Sequence, residues 1–136
     1  MIHITRQEEF SAAHRLYKED WSDERNISTY GKCANENYHG HNYILEVTLK
    51  APVNEENGMA FNLAELKQIM RDHIIEVLDH KNLNIDVDSF MKKRIPTAEN
   101  IAISIWEALS QHIPENFLFK VRLYENQRNF VDYFGG

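Results

Sequence analysis

The sequence predicts an α+β fold in which a four-stranded antiparallel sheet carries two helices on one face, in the order ββααββ. Three observations predict it. Segments at both ends of the chain alternate apolar and polar residues. Two apolar stripes at helical spacing lie between them, and no repeat or linker divides residues 1–136 into more than one domain.

Residues 2–14 read as the first strand, with Ile2, Ile4, Phe10 and Ala12 on one alternating face. Residues 15–37 are polar and irregular, a long connection of the kind that often carries function. A second strand spans 39–50, where Tyr43, Leu45, Val47 and Leu49 alternate with Ile44, Glu46, Thr48 and Lys50. Asn57-Gly58 marks a turn. Asn62, with Glu65 three residues later, forms an Asn version of the helix capping box. The helix that it opens carries Leu63, Leu66, Ile69, Met70, Ile74, Val77 and Leu78 as its stripe. A second helix starts near Thr97, just after Pro96, with Ala98, Ala102, Ile105, Trp106, Leu109 and Ile113 as its stripe and Pro114 beyond. Two closing strands, 117–125 and 128–134, flank a polar turn.

Composition narrows the function. A 43% hydrophobic content supports one ordinary core, and a net charge of -6 argues against nucleic acid or anionic membrane as partner. No stretch approaches the roughly 20 apolar residues of a membrane span. The N-terminus, MIHITRQEEF, lacks the apolar run of a secretory signal. A single cysteine precludes an internal disulfide and fits a cytoplasmic setting.

His39 and His41 flank Gly40, so on a strand both imidazoles point to the face of Tyr43, Leu45 and Val47. His14 is in phase with Phe10 and Ala12. Each histidine alone would pass for an ordinary core or edge residue. Together they suit zinc, because three imidazoles leave a fourth position open for chemistry.

Cys33 precedes His39 in the connecting segment, where a thiolate base, a fourth ligand and simple packing all stay open. Asp79 adjoins His80 at the end of the first helix, and an acceptor beside a histidine fixes its tautomer. His80 otherwise only complements the helix dipole. Glu125 continues the apolar face of Phe117, Phe119, Val121 and Leu123, where a carboxylate needs a donor, a cation or a ligand unless the strand has already ended. Glu99 sits in the first turn of the second helix, a position that suits the dipole by itself. A carboxylate also accepts adjacent N–H donors in bidentate fashion, as an amino-pyrimidinone offers them.

The stretches FSAAH (10–14), CANENYHGHNY (33–43), LDHKNLN (78–84), PTAENIAISIW (96–106) and RLYEN (122–126) together resemble the 6-pyruvoyl-tetrahydropterin synthase family, which includes the 6-carboxy-tetrahydropterin synthases. The resemblance implies a tunnelling fold, in which protomer sheets join into a barrel and two rings stack. It implies a homohexamer, a dimer of trimers, with active sites at subunit interfaces. The implied substrate is 7,8-dihydroneopterin triphosphate and the implied metal is zinc, held by His14, His39 and His41. Cys33, Asp79 and His80 take the catalytic places, and Glu125, with Thr97 and Glu99 nearby, takes the pterin-binding ones.

Five residues separate Cys33 from His39, which resembles the pyruvoyl-type enzymes rather than the carboxy-type enzymes of queuosine and deazaguanine biosynthesis. Ala98 departs from the threonine of the pyruvoyl pattern. The expected function is a zinc-dependent lyase forming 6-pyruvoyl-tetrahydropterin. The alternatives are a carboxy-type synthase on the same substrate and a non-catalytic zinc- or pterin-binding module. Arg15, Lys18, Lys32 and Lys81 are the cations nearest the site in sequence.

Overall fold

Two long strands, β1 (Ile2–His14) and β2 (His39–Ala51), pair antiparallel from end to end in the computed structural model, which describes residues 1–136. β2 pairs on its other edge with β4 (Leu118–Tyr124), and β4 pairs with β5 (Phe130–Tyr133), both antiparallel. A fifth strand, β3 (Lys81–Asn82), lies parallel to β1 against Ala12 and Ala13. The sheet order is β3-β1-β2-β4-β5. The expected four-stranded, wholly antiparallel sheet is therefore corrected to five strands, mostly antiparallel. Two residues are too few to display an alternation, so β3 left no trace in the pattern.

The predicted irregular segment 15–37 is also corrected. It contains α1 (Asp23–Tyr30) and a 3-10 turn (Gly31–Ala34). Ser22 caps α1 by accepting from the Arg25 N–H, with Asp23 and Glu24 in the first turn. This helix escaped the pattern because it has no apolar stripe: its one buried residue is Asn26, which bonds the backbone of Lys18 and Ser22.

The helix predicted after Asn62 is a continuous run of three pieces. α2 (Leu63–Met70) leads through a π-helical turn (Arg71–Ile75) into α3 (Glu76–Leu78). The Asn62 side chain accepts from the Ala64 N–H at 2.9 Å, so the cap stands where the sequence placed it. Leu66, Met70, Ile74 and Leu78 are fully buried, whereas Leu63, expected in the stripe, is 44% exposed. A short α4 (Asp88–Met91) precedes α5 (Ala98–Leu109), which Thr97 caps by accepting from the Asn100 N–H. Trp106, expected inside, is half-buried and packs edge-on to Tyr133.

The helices cover one face of the sheet. Phe10, Ala12, Tyr43, Leu45, Val47, Leu49, Val121 and Leu123 meet Ile101, Ile105 and Leu109 in one core. The other face pairs polar side chains across strands: Thr5 with Thr48, Gln7 with Glu46, Ser11 with Asn42 and Arg122 with Asp132. No helix is long and apolar enough to cross a membrane.

Leu45→Ala, which empties a fully buried site, lowers unfolding free energy by about 2–5 kcal/mol in urea titrations. Leu63→Ala in the same assay changes it by less than about 0.5 kcal/mol, because that side chain reaches solvent.

Candidate metal centre

Register brings the three histidines together. His14 is the direct cross-strand partner of His39, and His41 faces Ala12 two pairs along. All three side chains point toward the helices, and their ligating nitrogens lie within 4.8 Å of one another. His14 is fully buried, and its Nδ1 lies 2.7 Å from the Pro96 carbonyl. A carbonyl only accepts, so that nitrogen carries the proton and Nε2 presents a bare lone pair. The Nε2 atoms of His14, His39 and His41 are all buried without a hydrogen-bond partner.

Three such atoms side by side would be an unexplained burial cost in a merely structural cluster. A shared cation accounts for them, so the residues present fit a metal ion. Burial holds the His14 ring well below the usual imidazole range, at about 4, with the Pro96 bond opposing and the two neighbouring rings adding to the shift. Burial also lowers His39, with His41 adding and Glu125 opposing. Both rings are therefore neutral at physiological pH, the form that binds metals.

The Tyr43 hydroxyl lies 3.3 Å from the same His14 nitrogen, and burial chiefly, then Glu125 and Cys33, push its ionisation far up. The sequence placed Tyr43 on the core face but did not assign its hydroxyl to the site. Its tyrosine identity, two residues beyond His41 on a face otherwise apolar, was the available signal.

Glu125 sits just past β4, half-buried, with its backbone N–H bonded to the Asn129 carbonyl at 3.1 Å. Its carboxylate reaches within 3.7 Å of His41 Nε2 and has no Lys or Arg partner. Cys33 lies in the 3-10 turn, half-buried, with its thiol pushed up by burial and then by the Glu125 charge. Its sulfur stands outside the grouped nitrogens, which speaks against a fourth protein ligand. Thr97 is committed to capping α5, one residue after the Pro96 carbonyl that holds His14. Glu99 is exposed on the first turn of α5.

Asp79 and His80 do form a pair. The helix ends at Leu78, Asp79 is extended and His80 adopts a left-handed φ of 61°, which lets these chain neighbours face each other. His80 Nδ1 lies 2.9 Å from Asp79 Oδ2, and Asp79 Oδ1 accepts from the Ser11 N–H at 2.8 Å. That backbone bond first, and His80 second, hold the Asp79 carboxyl below the usual range. A carboxylate only accepts, so His80 Nδ1 carries a proton, and Nε2 is the ring nitrogen left outside the pair.

The His80 side chain is 84% exposed at an open cleft of about 530 Å³, lined also by Ser11, His41, Asn42, Lys81, Asn82 and Asp86. No hydrogen bond or ion pair joins the dyad to Cys33, Glu125 or the histidine cluster within one chain. Of the nearby cations, Arg15 bonds the Ala34 carbonyl and Lys18 pairs with Asp20, whereas Lys32 and Lys81 are exposed.

A family model described as 6-pyruvoyl tetrahydropterin synthase matches residues 3–136. The chain is 46% identical to a 6-pyruvoyl tetrahydrobiopterin synthase of Pongo abelii, over 97% of this chain and 90% of that one. A solved structure of the Caenorhabditis elegans 6-pyruvoyl tetrahydropterin synthase superposes with a TM-score of 0.92 at 40% identity, covering 99% of this chain and 96% of that one. A 6-carboxy-5,6,7,8-tetrahydropterin synthase of Rickettsia bellii is 28% identical, over 97% of this chain and 99% of that one.

In metal-free protein, the folded state keeps His14 neutral down to about pH 4, while the unfolded chain takes the proton near 6.5. Urea stability is therefore full above about pH 6.5 and declines toward pH 4, as only the unfolded state gains that proton. His14→Gln, less stable at neutral pH, shows a shallower decline in chelator-treated samples.

Proposed function

The chain belongs to the 6-pyruvoyl tetrahydropterin synthase family, and on that premise we propose a zinc-dependent carbon–oxygen lyase that converts 7,8-dihydroneopterin triphosphate to 6-pyruvoyl-tetrahydropterin with loss of triphosphate, in pterin biosynthesis. The observation that carries the reading is the set of three buried, partnerless Nε2 atoms beside Cys33 and Glu125. The greater identity to the pyruvoyl-named relative and the five-residue Cys33–His39 spacing support the pyruvoyl product.

His14, His39 and His41 would hold zinc. Zinc there supplies Lewis acidity, which eases loss of protons from hydroxyl-bearing carbons. Cys33 removes a proton from the substrate side chain once its thiol, which burial and the Glu125 charge hold up in the free chain, is ionised. His80 moves protons at Nε2, with Asp79 keeping its ring oriented. Glu125 accepts the N–H donors of the amino-pyrimidinone, and Thr97 and Glu99 border the same ring.

Within one chain no hydrogen bond or ion pair joins the Asp79–His80 pair to the three histidines, which supports sites shared between subunits of a homohexamer, a dimer of trimers. The lone, unpaired cysteine supports a cytoplasmic setting.

The test is incubation of zinc-loaded protein with dihydroneopterin triphosphate, followed by mass spectrometry, with a chelator-treated control. Release of triphosphate with 6-pyruvoyl-tetrahydropterin, lost on zinc removal, supports the assignment. Formation of 6-carboxy-tetrahydropterin moves the protein to the carboxy-type reaction, and absence of turnover sinks the lyase reading. Cys33→Ala and His80→Ala, folded and zinc-loaded, each lose about 10²–10⁴-fold in turnover. Full activity in either variant removes that residue from the mechanism.

A further inference from the structure

We propose that Arg15 and Asn84 form a positioning clasp, which sets the Cys33 turn over the metal site and ties it to the loop carrying Asp79 and His80. The inference rests on the reading of Cys33 as the catalytic base.

Two consecutive carbonyls of the 3-10 turn are held by two consecutive residues past β1. The Arg15 Nη2 donates to the Ala34 carbonyl at 2.8 Å, and the Leu16 N–H donates to the Cys33 carbonyl at 2.7 Å. The Arg15 guanidinium also lies flat over Tyr17, 3.9 Å from the ring centre, and Tyr17 is anchored by its hydroxyl to Asp23 at 2.5 Å. Arg15 Nε is buried without a partner. The side chain thus forgoes a hydrogen bond in order to reach the turn, which is a poor solution for stability alone. The hydrogen bonds reach the backbone on which the thiol is mounted.

Asn84 closes the clasp from the other side. Its Oδ1 accepts from the Arg15 N–H at 2.8 Å, and its Nδ2 donates to the Arg15 carbonyl at 2.9 Å, so the amide engages Arg15 as a neighbouring strand would. The segment leading to Asn84 docks on β1 by the same alternation. The His80 N–H donates to the Ser11 carbonyl and the Leu83 N–H to the Ala13 carbonyl. One continuous set of bonds therefore runs from the Asp79–His80 pair along the end of β1 to the Cys33 turn. Arg15, near in sequence to the site, is thereby a positioning residue for the thiol.

Displacing a reacting group by about 1 Å costs on the order of a hundredfold in rate, so the clasp should register in turnover more than in binding. Cys33 is the sole cysteine, so alkylation by iodoacetamide at one fixed pH reports on its setting alone. The experiment compares zinc-loaded wild type, Arg15→Ala, Arg15→Lys and Asn84→Leu for zinc content, thermal midpoint, kcat, KM and alkylation rate.

We expect Arg15→Ala and Asn84→Leu to keep their zinc and change KM less than about threefold, with kcat down at least about tenfold and alkylation changed at least about threefold. Arg15→Lys recovers part of the alkylation behaviour but not all, because an ammonium cannot reproduce the planar stack on Tyr17. Unchanged kcat and alkylation in folded variants overturn the proposal, as does a loss of activity that only follows loss of zinc. If Arg15→Ala does not fold, Asn84→Leu carries the same readouts. Full activity in Cys33→Ala defeats the base assignment, whereas the alkylation rates still decide whether the clasp sets the turn.

Discussion

One hydrogen bond, from His14 Nδ1 to the Pro96 carbonyl, ties the histidine cluster on the sheet to the helical layer. It joins the end of β1 to the start of α5, elements far apart in sequence. It also settles which nitrogen of a fully buried imidazole carries the proton. With Nδ1 occupied, Nε2 has nowhere to point but toward His39 and His41. Because Pro96 immediately precedes the Thr97 cap, the same bond sets where α5 begins relative to the cluster. Proline suits this place: lacking an N–H, it leaves no unsatisfied donor at the helix entrance, while its carbonyl serves the ring.

The electrostatic arrangement is one of tension. Imidazoles gather beside a carboxylate, Glu125, that has no Lys or Arg partner, and that charge helps raise both the Cys33 thiol and the Tyr43 hydroxyl. In a chain of net charge -6, a cation at the centre would reverse the local field near the Cys33 thiol. The same carboxylate that opposes ionisation in the free protein is the natural partner for a ligand rich in N–H donors. A cation held by the three histidines would relieve a burial cost that the polypeptide alone leaves in place.

Much of this was legible in the sequence. β1 and β2 show a period of two long enough to place His14, His39 and His41 on one face, and the caps at Asn62 and Thr97 stand where the residue types put them. What was hidden lacks periodicity. α1 buries an asparagine rather than an apolar stripe, and β3 is two residues long. Pro96 contributes a carbonyl, which every residue possesses, so nothing in its identity announced a bond to His14. The Asp79–His80 pairing depended on where the helix stops and on a left-handed residue, neither of which spacing reveals. The resemblance to a known family supplied roles that geometry within one chain does not join.

The π turn has a consequence for how the long helix tolerates changes in length. A repeat of Leu66, Met70, Ile74 and Leu78 every four residues slips about 40° per step around an α-helix, and the wider turn takes up that slip. Both ends of the run are pinned, by the Asn62 cap and by Asp79 against Ser11, and Arg71 at the turn is clipped to Glu8 of β1. A helix so held cannot unwind at its ends to house a surplus residue; it must bulge in the middle. The bulge thus sits between two fixed ends, so removing one residue there would tighten the turn while leaving the dyad in place.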